Sequence, residues 1–177
     1  MSQSIKYIVS PLILWIILFA SCREDELIAY TEEEQTGGAT HPDGVYGGLY
    51  LLNEGNMGSN HCTLDYLDLT TSTYYRNIYA QRNPNTVKEL GDVGNDLQIY
   101  GNKLWMVINC SNKVEVCHLS DASRIGQIDI PNCRYIAFDD RFAYISSFVG
   151  PVSLSAHAQL GRIYKVDTLS LQKVDSV

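Results

Sequence analysis

The sequence predicts an all-β chain, an incomplete β-propeller of about three four-stranded antiparallel blades. Three observations predict it. One stretch, Val93 to Ile130, contains a whole four-strand unit, the unit recurs in register on both sides, and no helical period interrupts it.

Within that stretch Asp96 to Tyr100 alternates apolar and polar residues as a short strand does. Gly101-Asn102 is a two-residue turn that favours φ > 0, and Lys103 to Asn109 is a second, strongly apolar strand. Lys113 to Leu119 is the third strand. Ser120 to Ser123 turns the chain, and Arg124 to Ile130 forms a fourth strand that Pro131 ends.

Sliding the sequence along itself lays Tyr135 to Ser147 over Leu97 to Asn109, with Asp139-Asp140 in place of the Gly101-Asn102 turn. Arg162 to Asp167 lies over Lys113 to His118, and Leu171 to Val177 takes the fourth-strand position. Upstream, Gly48 to Asn53 matches the second strand and Thr63 to Asp68 the third. The expected blades are therefore 47–80, which is partial, 93–131 and 134–177. A sandwich of short strands is the alternative, but it has no reason to repeat its turns.

Residues 1–21 read as a bacterial lipoprotein signal peptide: Lys6 precedes an apolar run from Tyr7 to Ala20 that is short for a membrane span. Leu18 to Cys22 resembles a lipobox, with Phe19 departing from the usual leucine, so Cys22 is the expected lipidation site. A plain secretory signal is the alternative. Two or more acyl chains, at about 0.8 kcal/mol per buried methylene, hold a protein stably to a bilayer. Residues 22–46 are acidic and poor in large apolar side chains, the composition of a flexible tether.

The net charge of −7 and the lack of a basic stripe exclude nucleic acid as a partner. Twelve tyrosines suit strands and contact surfaces. With Cys22 committed to lipid, Cys62, Cys110, Cys117 and Cys133 remain. Cys62, Cys110 and Cys133 fall in loops opening on one end of the blades, where a disulfide is sterically feasible with no pairing favoured. Cys117 sits mid-strand as a small buried hydrophobe.

No metal, cofactor or catalytic constellation is expected. His41, His61, His118 and His157 are scattered, and no GxSxG, HExxH or phosphate loop is present. Asp65, Asp68 and Asp167 read as turn residues, and Trp105 and Tyr144 as packing between blades. The second strands end in Asn53-Glu54, in Asn109 and in Ser146-Ser147. With Asn60 from the following loop, these side chains make a candidate ligand rim around a common axis, although Asn and Ser also cap strand ends.

The run Leu90 to Trp105, with Asn109, Lys113 to Val116 and Ile130 to Tyr135, resembles the YncE-like β-propeller surface lipoproteins of gut Bacteroidetes. The resemblance covers roughly Gly47 onward. It implies a seven-bladed scaffold and, for the BtuG-like branch, capture of cobalamin at the outer membrane and its transfer to a TonB-dependent transporter. The acidic residues after Cys22 likewise resemble a surface-export signal. Seven blades need more chain than ends at Val177, so the expectation is a longer product, or blades supplied by another chain. The leading expectation is a non-enzymatic, lipid-anchored ligand-capture protein. A propeller enzyme, such as a quinoprotein-like oxidoreductase or a lactonase with its catalytic residues elsewhere, and a scaffold in an uptake complex are the alternatives.

Overall fold

The computed structural model describes residues 31–37, 47–86, 89–150 and 159–177. The expected signal peptide and Cys22, together with His41 and His157, lie outside them. The described residues form three four-stranded antiparallel sheets, as the repeat predicts.

The first sheet contains β1 (Glu32–Gln35), β2 (Gly48–Asn53), β3 (Thr63–Asp68) and β4 (Thr73–Arg76), in the order β1-β4-β3-β2. A one-turn helix, α1 (Ile78–Arg82), leads to the second sheet. There β5 (Gly94–Tyr100), β6 (Lys103–Ile108), β7 (Lys113–His118) and β8 (Arg124–Asp129) pair in sequence order. The third repeats that order with β9 (Cys133–Phe138), β10 (Phe142–Ser147), β11 (Arg162–Asp167) and β12 (Lys173–Ser176).

The repeat is metrical as well as topological. β2 pairs with β3 from Gly48↔Asp68 to Asn53↔Thr63 without a slip. β6 pairs with β7 from Lys103↔His118 to Ile108↔Lys113, and β10 with β11 from Phe142↔Asp167 to Ser147↔Arg162, again unbroken. These three hairpins are equivalent.

β2 therefore stands where β6 and β10 stand, and among the described residues no strand of the first blade corresponds to the inner strands β5 and β9. The first blade gains β1 instead, on its outer side, where Glu32 to Gln35 pair with Arg76 to Thr73. That strand falls inside the stretch expected to be a flexible tether. The cause is the backbone of β4, which offers a free edge, aided by the Arg76–Glu34 ion pair at 2.5 Å.

The equivalence also corrects the sequence overlay by one residue. Asp139 accepts its place opposite Phe142, its amide donating to the Phe142 carbonyl at 3.0 Å. Asp140-Arg141, not Asp139-Asp140, is thus the turn that matches Gly101-Asn102. In the second blade Gly101 takes φ of 61°, which glycine adopts without a Cβ clash.

The two joints between blades hold the core. β6 is apolar on both faces because both are covered: Leu104, Met106 and Ile108 pack towards the first blade, Trp105 and Val107 towards the third, and all are fully buried. Gly94 opens β5 against the first blade so closely that a Cβ there would stand 2.7 Å from the Cys62 sulfur and 2.8 Å from Leu52. The Trp105 ring meets Phe138 edge-on at 5.3 Å.

Trp105 packs between blades as expected. Tyr144 does not: it occupies the equivalent position on the third blade, on the face turned away from the second, and donates its hydroxyl to Asp139 at 2.7 Å.

One buried charge cluster joins the blades. Glu115 on β7 is fully buried and takes Lys113 at 3.0 Å and Arg124 at 2.5 Å. The buried Tyr79 hydroxyl of α1 is pushed up, first by burial and then by the Glu115 charge. Asn83, just after the helix, donates to the Tyr79 carbonyl at 2.9 Å and to Ala122 at 3.1 Å, and accepts the Arg124 amide at 2.7 Å.

Candidate functional site: the loop end of the blades

The strand ends singled out by sequence lie at one end of the sheets, where each second-to-third-strand loop meets the connection into the next blade. The Gly94 amide donates to the Glu54 carbonyl at 3.0 Å, and the Asn132 amide to Asn112 Oδ1 at 2.7 Å. Asp92 fastens this end by accepting the Gly58 amide at 2.7 Å, while its own amide donates to Ser111 Oγ at 2.8 Å.

Not all six candidate rim residues present their side chains there. Asn109 is buried and donates its amide to the Cys133 carbonyl at 2.8 Å. Ser147 is buried and donates its hydroxyl to Pro131. Both close the joint between second and third blades, and their hydrogen bonds are already spent.

Asn53 is exposed, but its amide is held by Asp65 Oδ2 at 2.7 Å and Thr63 Oγ1 at 3.0 Å. Glu54 is exposed, and Asn60 is half-buried with φ of 55°, where it shapes the loop. Ser146 is half-buried beside the Tyr135 backbone, whose amide it accepts at 3.1 Å.

Asp65 is not a turn residue. It is buried in β3 and accepts Asn53, the Tyr74 hydroxyl at 2.7 Å and the Asn77 amide at 2.8 Å. The hydroxyl of Tyr74 is pushed up to about 12, first by burial and next by that hydrogen bond. Asp68 and Asp167 do hold turns: Asp68 takes the Thr70 amide at 2.7 Å, and Asp167 the Leu169 and Ser170 amides at 3.0 Å each. The Asp167 carboxyl falls to about 2, chiefly through the Ser170 amide and then Arg141.

The four cysteines among the described residues are free thiols, so the disulfide considered among Cys62, Cys110 and Cys133 is not formed. Cys62 points into the core between the first two blades and Cys133 into the core between the second and third, with the second sheet separating them. Burial pushes Cys62, Cys117 and Cys133 up to about 12 each, the inert condition of a thiol. Cys117 is the buried hydrophobe its position suggested. No group of three metal-binding side chains occurs among the described residues.

The third blade carries a feature the sequence did not disclose. A groove of 690 Å³ runs along its loop end, lined by Arg134, Tyr135, Ser146, Phe148, Arg162 and Ile163, among others. Its volume is that of ligand sites generally, roughly 300–1,000 Å³. The Arg134 guanidinium lies over the Phe148 ring at 5.6 Å, so cation and aromatic surface are presented together. Arg134 and Arg162 sit on different strands and share no motif, and only the fold brings them together.

No protein-family model matches the chain, and no curated protein does.

Proposed function

We propose that this protein is a non-enzymatic, lipid-anchored surface protein that captures a small ligand at the loop end of its blades and passes it to a TonB-dependent transporter of the outer membrane. The reading unites the lipobox-like Cys22 with the groove, and the groove carries it. Two arginines, an exposed tyrosine and a phenylalanine under a guanidinium suit a flat, amphipathic ligand with an anionic group. A corrinoid has that chemistry, with a planar macrocycle, amide edges and a phosphate in its nucleotide tail. The resemblance to BtuG-like propellers supports cobalamin as the first ligand to try.

The test is calorimetric titration of the purified chain with cyanocobalamin. Saturable binding that weakens about tenfold or more in Arg162→Ala, a loss of about 1.4 kcal/mol, supports the reading. No heat with cobalamin, or affinity unchanged in both Arg162→Ala and Arg134→Ala, refutes a corrinoid in the groove.

A further inference from the structure

All four side chains of β1 are exposed, and none joins a core cluster. The strand is held by polar contacts along its whole length. Glu32 to Gln35 pair with Arg76 to Thr73, the Gln35 side-chain amide donates to Thr73 Oγ1 at 2.8 Å, and the Thr36 amide and hydroxyl each donate to the Ser72 carbonyl at 2.9 Å. At its other end the Thr31 hydroxyl donates to the Asn77 carbonyl at 2.9 Å. A segment that buries no large apolar side chain adds little to the core. What these bonds fix is a direction.

β4 leaves the turn end of the first blade at Thr73, which pairs with Asp68, and rises towards the loop end at Arg76. β1 runs antiparallel to it, so the chain meets the sheet on its loop-end side at Thr31 and descends to Thr36 beside the β3–β4 turn. The stretch that carries Cys22 is therefore attached near the loop end.

Chain length turns that attachment into an orientation. Nine residues of chain run from Cys22 to Thr31, a reach of about 30 Å at full extension. With the turn end against a bilayer, the chain would first retrace β1 from Thr31 to Thr36, about 17 Å. About 13 Å would remain to cross a headgroup layer of about 5–8 Å per leaflet, and only with the segment drawn nearly straight, at the expense of its conformational entropy. With the loop end against the bilayer no such extension is needed.

We infer that β1 moors the lipid anchor at the loop end, so that this end of the blades, and not the turn end, faces the bilayer surface. This attitude deepens the ligand-capture reading and rests on its lipid-anchored Cys22: the capturing end then looks towards the membrane that holds the transporter.

The experiment uses the full chain, lipidated in an expressing bacterium and inserted into preformed phosphatidylcholine vesicles that carry a headgroup-linked energy acceptor. Cys110→Ser is included throughout, leaving only the buried Cys62, Cys117 and Cys133 among the described residues. A donor dye is attached at Met57→Cys in the β2–β3 loop or at Thr71→Cys in the β3–β4 turn, exposed positions at opposite ends of one blade. Transfer is expected to be about twofold or more higher at position 57 than at position 71, since a six-residue strand sets the two ends about 20 Å apart.

Glu34→Pro should abolish that difference while the Trp105 fluorescence stays unchanged. Glu34 has the parity of Thr36, so its amide faces β4, and proline removes it. The released leash then runs 26 residues from Cys22 to Gly48, a reach of about 90 Å. Equal transfer at the two positions, greater transfer at position 71, or a difference that survives Glu34→Pro overturns the mooring. Where mass spectrometry finds lipid on Cys22 in those same chains, the anchor reading stands without it; a chain with no lipid overturns both.

Discussion

Replacing Glu115 by alanine isolates what the buried charge cluster contributes to the joint between the first two blades. The carboxylate is fully buried and faces two cations whose side chains keep some water, Lys113 at 15% and Arg124 at 30% exposure. Removing one partner of a buried pair costs about 3–5 kcal/mol, because the remaining charge is left desolvated. Partial exposure of both cations puts this case at the lower end, about 3 kcal/mol. For a chain of this size that lowers the melting temperature by roughly 6–12 °C.

Urea unfolding followed by the fluorescence of Trp105, buried in the adjoining joint, measures the effect. Glu34→Ala is the control, since the Glu34–Arg76 pair is solvent-exposed and such pairs contribute about 0–1 kcal/mol. The double variant Glu115→Ala/Arg124→Ala should cost less than the sum of the two single changes, since it leaves one fewer buried cation unpaired. A Glu115→Ala variant no less stable than Glu34→Ala would refute the assignment of Glu115 as the carboxylate that holds this joint.

Acid should weaken the fold at its turns. Asp68, Asp121, Asp139 and Asp167 all have carboxyls held below the ordinary range, mainly by turn hydroxyl and amide hydrogen bonds. A carboxyl lowered in the folded state stabilises it above its unfolded value, near 3.8, and that stability is lost as pH falls towards the folded value, about 2 for Asp167. Urea midpoints measured from pH 5 to 2 should therefore fall, and less steeply in Asp167→Asn; parallel curves would contradict the assignment. The raised thiols of Cys62, Cys117 and Cys133 should resist alkylation at pH 8 in the folded chain and react once it is unfolded. Rapid native labelling of any of the three, read by mass spectrometry, would contradict their burial.

What the sequence disclosed followed from how strictly each position was constrained. The unit from Val93 to Ile130 was legible because its strands are apolar on buried faces and its first turn carries a glycine. The third blade was read one residue out of register because Asp139, Asp140 and Arg141 offer no glycine to mark the turn. Its position is set by the Asp139 side chain, which takes the Arg141 and Phe142 amides at 2.9 and 2.7 Å. β1 escaped notice because Glu-Glu-Glu-Gln has no apolar alternation; main-chain pairing with β4, with the Glu34–Arg76 and Gln35–Thr73 side-chain contacts, makes it a strand. Two of the six rim residues, Asn109 and Ser147, proved to be buried caps, an outcome that depends on the neighbouring blade and not on local sequence. The arginine groove depends on residues of two strands whose proximity no spacing encodes.

The inner edge of β2 has a chemical consequence of its own. Gly-Leu-Tyr-Leu-Leu-Asn contains neither proline nor charge, and one side of its main chain pairs with no strand among the described residues. An extended peptide of almost any composition can add there through amide-to-carbonyl bonds, provided every other side chain tolerates the Tyr50 and Leu52 flank. Left unfilled at high concentration, that same border is where fibrous self-assembly would be seeded, and a lysine at Leu51 would be the simplest guard against it.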